Sequence, residues 1–293
     1  MQETLSKLLH VSAADAKSFA RCRVYPAANQ YEIMAASRPI FGGGWESDRP
    51  KKSGGGRKAA EPDDRAIRRA RRRVRDLALS NTFDYFVTLT LDPARVDRYD
   101  PAEVGSKLRR WLSNQVQRKG LRYILVPELH QDGAIHFHGF FNAALPAEDS
   151  GALTNIPDEK RPGKRRSRPA RPRSQAQRQR WLDDGAQVVY NLPGWSLGFS
   201  TAIKLYGDYP AAVAYVCKYV SKDGQKIGGR WYYSGGGLAE PIDLPVESDV
   251  DEIAAIDGAY YTELPGIRLR LATVRGDLAE SHLLDSIKEQ YNV

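Results

Sequence analysis

The period of the hydrophobic positions changes along the chain, and each change marks an element. Phe86-Val87-Thr88-Leu89-Thr90-Leu91 alternates polar and apolar, is β-branched, and is closed by Asp92-Pro93, which predicts a strand. Across 101–118 the apolar residues Val104, Leu108, Trp111, Leu112 and Val116 recur at helical spacing. Strands are expected at 122–129 and 134–141, joined through Gln131-Asp132-Gly133, and another at about 198–205. Asp208 then caps a helix over about 209–222 that Gly224 closes. The order β-α-β-β-(insertion)-β-α predicts an α+β fold, an antiparallel sheet flanked by helices.

Around this segment the pattern weakens. Residues 1–60, with Gly42-Gly43-Gly44 and a KKSGGGRK stretch, are expected to form a flexible arm. Residues 61–81 predict a basic helix with a thin apolar stripe of Ile67, Val74, Leu77 and Ala78. Its remaining face is arginine, including Arg68, Arg69 and Arg72; it either lies along phosphates or is simply solvated. Residues 146–185 form a polar, proline-punctuated insertion containing Arg165 and Arg166. Its sparse apolar content predicts disorder until DNA binds. Trp231 to Ile267 contain no Lys or Arg while acidic residues accumulate, so 236–293 is expected to be an acidic C-terminal extension outside a catalytic domain spanning 82–235.

Charge narrows the partners. The 293-residue chain carries a formal charge of +8, which points to a polyanion such as nucleic acid, although an anionic membrane surface or plain solubility would fit as well. Two distant cysteines, Cys22 and Cys217, exclude a disulfide framework and a zinc knuckle. No secretory leader and no apolar run of membrane-spanning length is evident, so a cytoplasmic protein without membrane association is expected.

Two clusters carry candidate chemistry. Two of the five histidines form Ile135-His136-Phe137-His138, and on a strand positions two apart share a face. Both imidazoles then project together, a geometry suited to a divalent metal and equally to an ordinary polar sheet face. If Gln131-Asp132-Gly133 is a three-residue loop with Gly133 in the left-handed position, Glu128 falls opposite His136 and supplies a carboxylate. A two-residue Asp-Gly turn would instead place Glu128 beside Phe137. His130 shares the parity of Glu128 but suits a turn-edge role better. Two imidazoles and a carboxylate fit Mg²⁺ or Mn²⁺.

The second cluster is Tyr215-Val216-Cys217-Lys218-Tyr219-Val220-Ser221-Lys222. On a helix Tyr215, Lys218, Tyr219 and Lys222 make one row, while Val213, Val216 and Val220 form a packing stripe. A lone tyrosine is more often a packing residue; two interleaved with lysines suit a core poorly, because buried ammonium groups need partners.

The ordered set Phe86–Leu91, His136-Phe137-His138, Tyr215-x-x-Lys218-Tyr219-x-x-Lys222 resembles the HUH endonucleases. It is most similar to the rolling-circle replication initiators of small single-stranded DNA phages and related plasmids, including the paired-tyrosine motif of the bullet-shaped microviruses. The resemblance covers about 82–235 and implies an RRM-like core. It implies metal held by His136, His138 and Glu128, Tyr215 and Tyr219 as nucleophiles, and Lys218 and Lys222 as phosphate-binding aids. The substrate it implies is single-stranded DNA at a replication origin, with a host helicase and DNA polymerase as partners, since no Gly-x-x-x-x-Gly-Lys-Ser/Thr segment is present. Basic residues Arg68, Arg69, Arg72, Arg165 and Arg166 are expected to bind DNA. The long arginine-rich insertion departs from the family pattern. A relaxase carries its tyrosine before the histidines, so chain order disfavours that alternative; a single-strand transposase shares the same chemistry. A non-catalytic RRM-like binder should show aromatic platforms on its central strands, where 86–91 presents threonines and aliphatics.

Overall fold

A computed structural model describes residues 19–36, 64–158, 160–205, 207–220, 226–246, 253, 256, 259–264, 267–275, 285, 288 and 289. The chain forms two compact units, one from 1–61, 79–81 and 239–293, the other from 62–78 and 82–238.

The first unit begins with β1 (Phe19–Tyr25) and β2 (Gln30–Ala36), an antiparallel hairpin. Its turn places Asn29 in the left-handed region at φ 45, where a short amide side chain is tolerated. This corrects part of the flexible-arm expectation: 19–36 is sheet, and the rest of 1–60 lies outside the described residues. Alternate positions Ala20, Cys22 and Val24 on β1 and Ile33 and Ala35 on β2 are buried together, which is why a segment without long apolar runs still pairs.

The second unit holds α1 (Asp64–Leu79, all but its last residue), β3 (Tyr85–Leu91), α2 (Pro101–Lys119), β4 (Tyr123–Leu129) and β5 (Ile135–Phe141). There follow β6 (Glu148–Thr154), β7 (Ile156–Pro157), β8 (Arg165–Arg166), α3 (Gln175–Asp183), β9 (Gln187–Asn191), β10 (Gly198–Lys204), α4 (Tyr209–Tyr219) and β11 (Tyr233–Gly235). Seven strands pair antiparallel in the order β11-β4-β5-β3-β10-β9-β6. The fold is α+β, and the segment 229–234 ends in an edge strand.

Helix α2 covers one face of this sheet. Asp100 caps it by accepting from the Ala102 N–H, and Gly120 ends it at φ 68. Leu108, Trp111 and Leu112 meet Val87, Leu89, Leu91, Phe137 and Phe141, the inward positions of the alternating strands. Each such fully buried side chain contributes roughly 1.5–3 kcal/mol. On the opposite face α4 packs over β4 and β5, burying Val213, Val216 and Val220 as the apolar stripe requires. Helix α1 supports α4 from behind: the Tyr209 hydroxyl donates to the Ala78 carbonyl at 2.9 Å, and the Cys217 thiol lies 3.8 Å from the Arg71 carbonyl.

The expectation of disorder over 146–185 does not hold. Those residues form β6, β7, β8 and α3, and β6 with β9 extends the main sheet. A small core of Leu153, Ile156 and Ala186, backed by Ala170, Trp181, Leu182 and Val188, holds the insertion together. Its apolar residues are few but converge from four separate stretches, a convergence that composition conceals.

The 236–293 region is likewise more than an acidic extension. In the first unit, β12 (Ile242–Pro245), β13 (Ala259–Leu264) and β14 (Ile267–Arg275) complete a five-stranded sheet ordered β12-β1-β2-β14-β13. Asp243 accepts from both Nε and Nη2 of Arg23 at 2.7 Å, so part of the acidic block neutralises a cation of the first hairpin.

Candidate active site

The site is built on β5, a central strand. In its antiparallel pairing with β3, Thr88 stands opposite His138 and Thr90 opposite His136; with β4, Val126 stands opposite His138 and Glu128 opposite His136. The turn sets this register. The His130 N–H donates to the Ala134 carbonyl at 2.8 Å, the Gly133 N–H donates to the His130 carbonyl at 2.8 Å, and Gly133 has φ 83. That is the three-residue loop, the arrangement that brings Glu128 onto the histidine face. Gly139 serves the same strand differently: a Cβ there would collide with the Ile124 carbonyl oxygen.

His138 is held from both sides. Its Nδ1 lies 3.1 Å from the Thr88 hydroxyl, and its Nε2 lies 2.6 Å from Glu128 Oε2. One consistent assignment has Nε2–H donating to the carboxylate and Nδ1 accepting from the hydroxyl. Glu128 is 6% exposed, and a carboxylate so deeply placed requires a charged or hydrogen-bonding partner. The His136 ring centroid lies 5.8 Å from that of His138. His130 lies 5.0 Å from His136 but its Nδ1 engages Asp132 at 3.2 Å, the turn-edge role.

Helix α4 brings both tyrosines to this face. Asp208 caps it by accepting from the Ala211 N–H at 3.2 Å, and Pro210 sits in its first turn. The Tyr219 ring stacks on His138 with centroids 4.2 Å apart and planes 15° from parallel. Tyr219 donates its hydroxyl hydrogen to the Tyr215 oxygen at 2.7 Å, and Tyr215 meets Phe86 edge-on at 5.8 Å. Tyr215 is 49% exposed. Burial, then the Tyr215 hydroxyl and phenol, then the Glu128 carboxylate, raise the Tyr219 phenol well above the ordinary tyrosine value.

The structure therefore brings Glu128, His136, His138, Tyr215 and Tyr219 together. Lys218 is exposed on α4, and Lys222 lies outside the described residues. Arg68, Arg69 and Arg72 are exposed on α1, and Arg166 is exposed on β8. Arg165 is engaged internally: its guanidinium donates to the Asn155 carbonyl and to Asp184. Arg165 is also exposed on β8. Sequence reasoning missed Thr88 and Phe86, although strand parity alone puts both on the histidine face. It also missed Thr154 and Asn155 of the insertion and Gln187 of β9, which line a cleft of about 480 Å³ with Phe86, His138, Tyr215 and Tyr219.

Among the described residues, no three His, Cys, Asp or Glu side chains are gathered tightly enough to form a ready metal cage. Glu128 and His138 contact each other directly, and in chemistry the set of two imidazoles and a buried carboxylate suits a divalent cation.

An antiparallel sheet bearing a histidine pair, faced by a helix with two tyrosines, defines the class of site. Residues 84–224 match the model of a replication-associated protein family, that of the ORF2 type, so this segment is similar to that family and the match supports a replication-initiator role. No curated protein and no solved structure matches the chain significantly. No helix among the described residues is long and apolar enough to cross a membrane.

Proposed function

We propose that the protein is an HUH-type endonuclease that nicks single-stranded DNA at a replication origin and rejoins it, initiating rolling-circle replication. One observation carries this reading: the Tyr219 ring lies against His138, on the face that also holds Glu128 and Tyr215. A binding module has no need of two phenols beside a buried imidazole–carboxylate pair.

In the proposed reaction a tyrosine Oη attacks phosphorus in line. The Oη–P bond forms as the P–O3′ bond breaks, the phenolic proton passes to water, and the departing 3′ oxygen takes one up. The product is a 5′-phosphotyrosine with a free 3′-OH that a polymerase extends. Because the phosphodiester energy is kept in the tyrosyl ester, the reverse attack by a 3′-OH rejoins the strand without ATP. Two tyrosines allow one to cut while the other is loaded. His136, His138 and Glu128 would hold Mg²⁺ or Mn²⁺, which when bound supplies Lewis-acid polarisation of the scissile phosphate. Thr88 orients His138 through Nδ1, and α1 and α2 hold α4 and the sheet in place. Arg68, Arg69, Arg72, Arg165 and Arg166, with Lys218 and Lys222, supply cationic contacts to the DNA backbone. A separate helicase opens the duplex.

The test uses 5′- and 3′-labelled single-stranded oligonucleotides from the replicon, incubated with Mn²⁺ and run on denaturing gels. A protein-linked band that EDTA abolishes supports the reading. Free cleavage products with no linked protein would contradict it.

A further inference from the structure

The insertion does more than decorate the sheet: it walls one side of the cleft beside the two tyrosines. Phe86, His138, Tyr215 and Tyr219 give that cleft aromatic lining, Thr154 and Asn155 line it from the insertion, and Gln187 lines it from β9. Thr154 and Gln187 are directly opposed across β6 and β9, so their side chains share a face.

Asn155 follows at φ 53, a left-handed conformation uncommon outside glycine. Arg165 donates to its carbonyl from Nε at 2.8 Å and from Nη2 at 2.5 Å, and the Nη1 of the same guanidinium is anchored on Asp184 at 3.2 Å. Thr154 donates its hydroxyl hydrogen to the Ser167 carbonyl at 2.5 Å. The wall is thus fixed by internal hydrogen bonds and by the insertion's own small core. Asn155 Nδ2 has only a long contact, 3.4 Å, to the Gly185 carbonyl, and the Gln187 amide has no hydrogen-bond partner among the described residues.

Aromatic lining beside two side-chain amides carried on a hydrogen-bonded backbone matches an unpaired nucleobase. The ring face stacks, and the amide offers a donor and an acceptor together to the base edge. We propose that Asn155 and Gln187 hold and select the base of the nucleotide next to the scissile phosphate, with Arg165 positioning Asn155. The placement next to the scissile phosphate rests on the nicking reading given above; the base-selective cleft itself does not.

The test is equilibrium binding of labelled dA5, dC5, dG5 and dT5 to the full chain in EDTA, read by fluorescence anisotropy. The wild type is expected to discriminate among the four by about fivefold or more, the low end for one amide–base pair. Asn155→Asp, which keeps a residue tolerant of the left-handed backbone, and Gln187→Glu each replace a donor with an acceptor. Each should narrow or reorder the discrimination. A wild type that binds all four alike, or two variants that keep the wild-type pattern, overturns the proposal. A wild type that binds selectively yet never becomes linked to DNA would sink the nicking reading instead.

Discussion

The ring of Tyr219 lies flat against the imidazole of His138, centroids 4.2 Å apart, while the same imidazole holds Glu128 through Nε2 at 2.6 Å. The phenol and the carboxylate therefore act on one histidine. Tyr219 is half-buried in this arrangement, whereas Tyr215, joined to it by a 2.7 Å hydrogen bond, is the more exposed member of the pair.

Unequal exposure implies unequal first use. Tyr215→Phe should lower initial nicking of an origin oligonucleotide at least about a hundredfold, as removal of a nucleophile does. Tyr219→Phe should cost less in the first cut and more in strand release. Single-turnover gels on both variants check this; equal losses in the first cut would argue against the order.

The raised phenol of Tyr219 has a pH signature. In Tyr215→Phe only the half-buried phenol is left, and its main perturbing cause, burial, persists. The attacking form is the phenolate, whose fraction below a raised pKa grows about tenfold per pH unit. Linkage by Tyr215→Phe should still be climbing at about pH 10, where an ordinary tyrosine phenol levels. A plateau reached by then would mean that the phenol is not held protonated above the ordinary range.

Thr88 should tune metal affinity. Its hydroxyl lies 3.1 Å from His138 Nδ1, and loss of such an outer partner typically weakens metal binding about 10–100-fold. Titration of Thr88→Val with Mn²⁺ by calorimetry should show that loss with the thermal transition nearly unchanged; wild-type affinity would remove Thr88 from the site.

Gly139 is a packing constraint on the histidine strand. An added Cβ would run into the Ile124 carbonyl oxygen, so Gly139→Ala must push β5 away from β4. A loss of about 1–3 kcal/mol or more is expected in chemical denaturation. Unchanged stability would show that the two strands separate freely.

Both thiols should be slow to react in the native protein. Burial pushes Cys22 up to about 12 and Cys217 up to about 11. At pH 8 a disulfide reagent should label neither quickly, and both on addition of denaturant.

Much of the site is legible in the sequence because it is local. Alternation over Phe86–Leu91, the spacing of His136 and His138, and the valine stripe of α4 each follow from a period within one element. Even the Glu128 register follows once Gly133 is assigned the left-handed position. Long-range pairing is not legible. β1 and β2 find β12 and β14 more than two hundred residues away, and the Arg23–Asp243 contact has no signature at either end. In the insertion a few apolar residues are diluted among arginines, so its average polarity hides a real core. The contacts of Arg165 escape sequence reading for a related reason: nothing along the chain marks Asn155 and Asp184 as its partners.

The most direct test is to digest the protein–DNA adduct to peptides and locate the attached nucleotide by mass spectrometry. The expected result is a nucleotide on the peptide carrying Tyr215 and Tyr219, joined through a phenolic oxygen. Attachment to any other residue, or cleavage that leaves every peptide unmodified, would contradict the central claim.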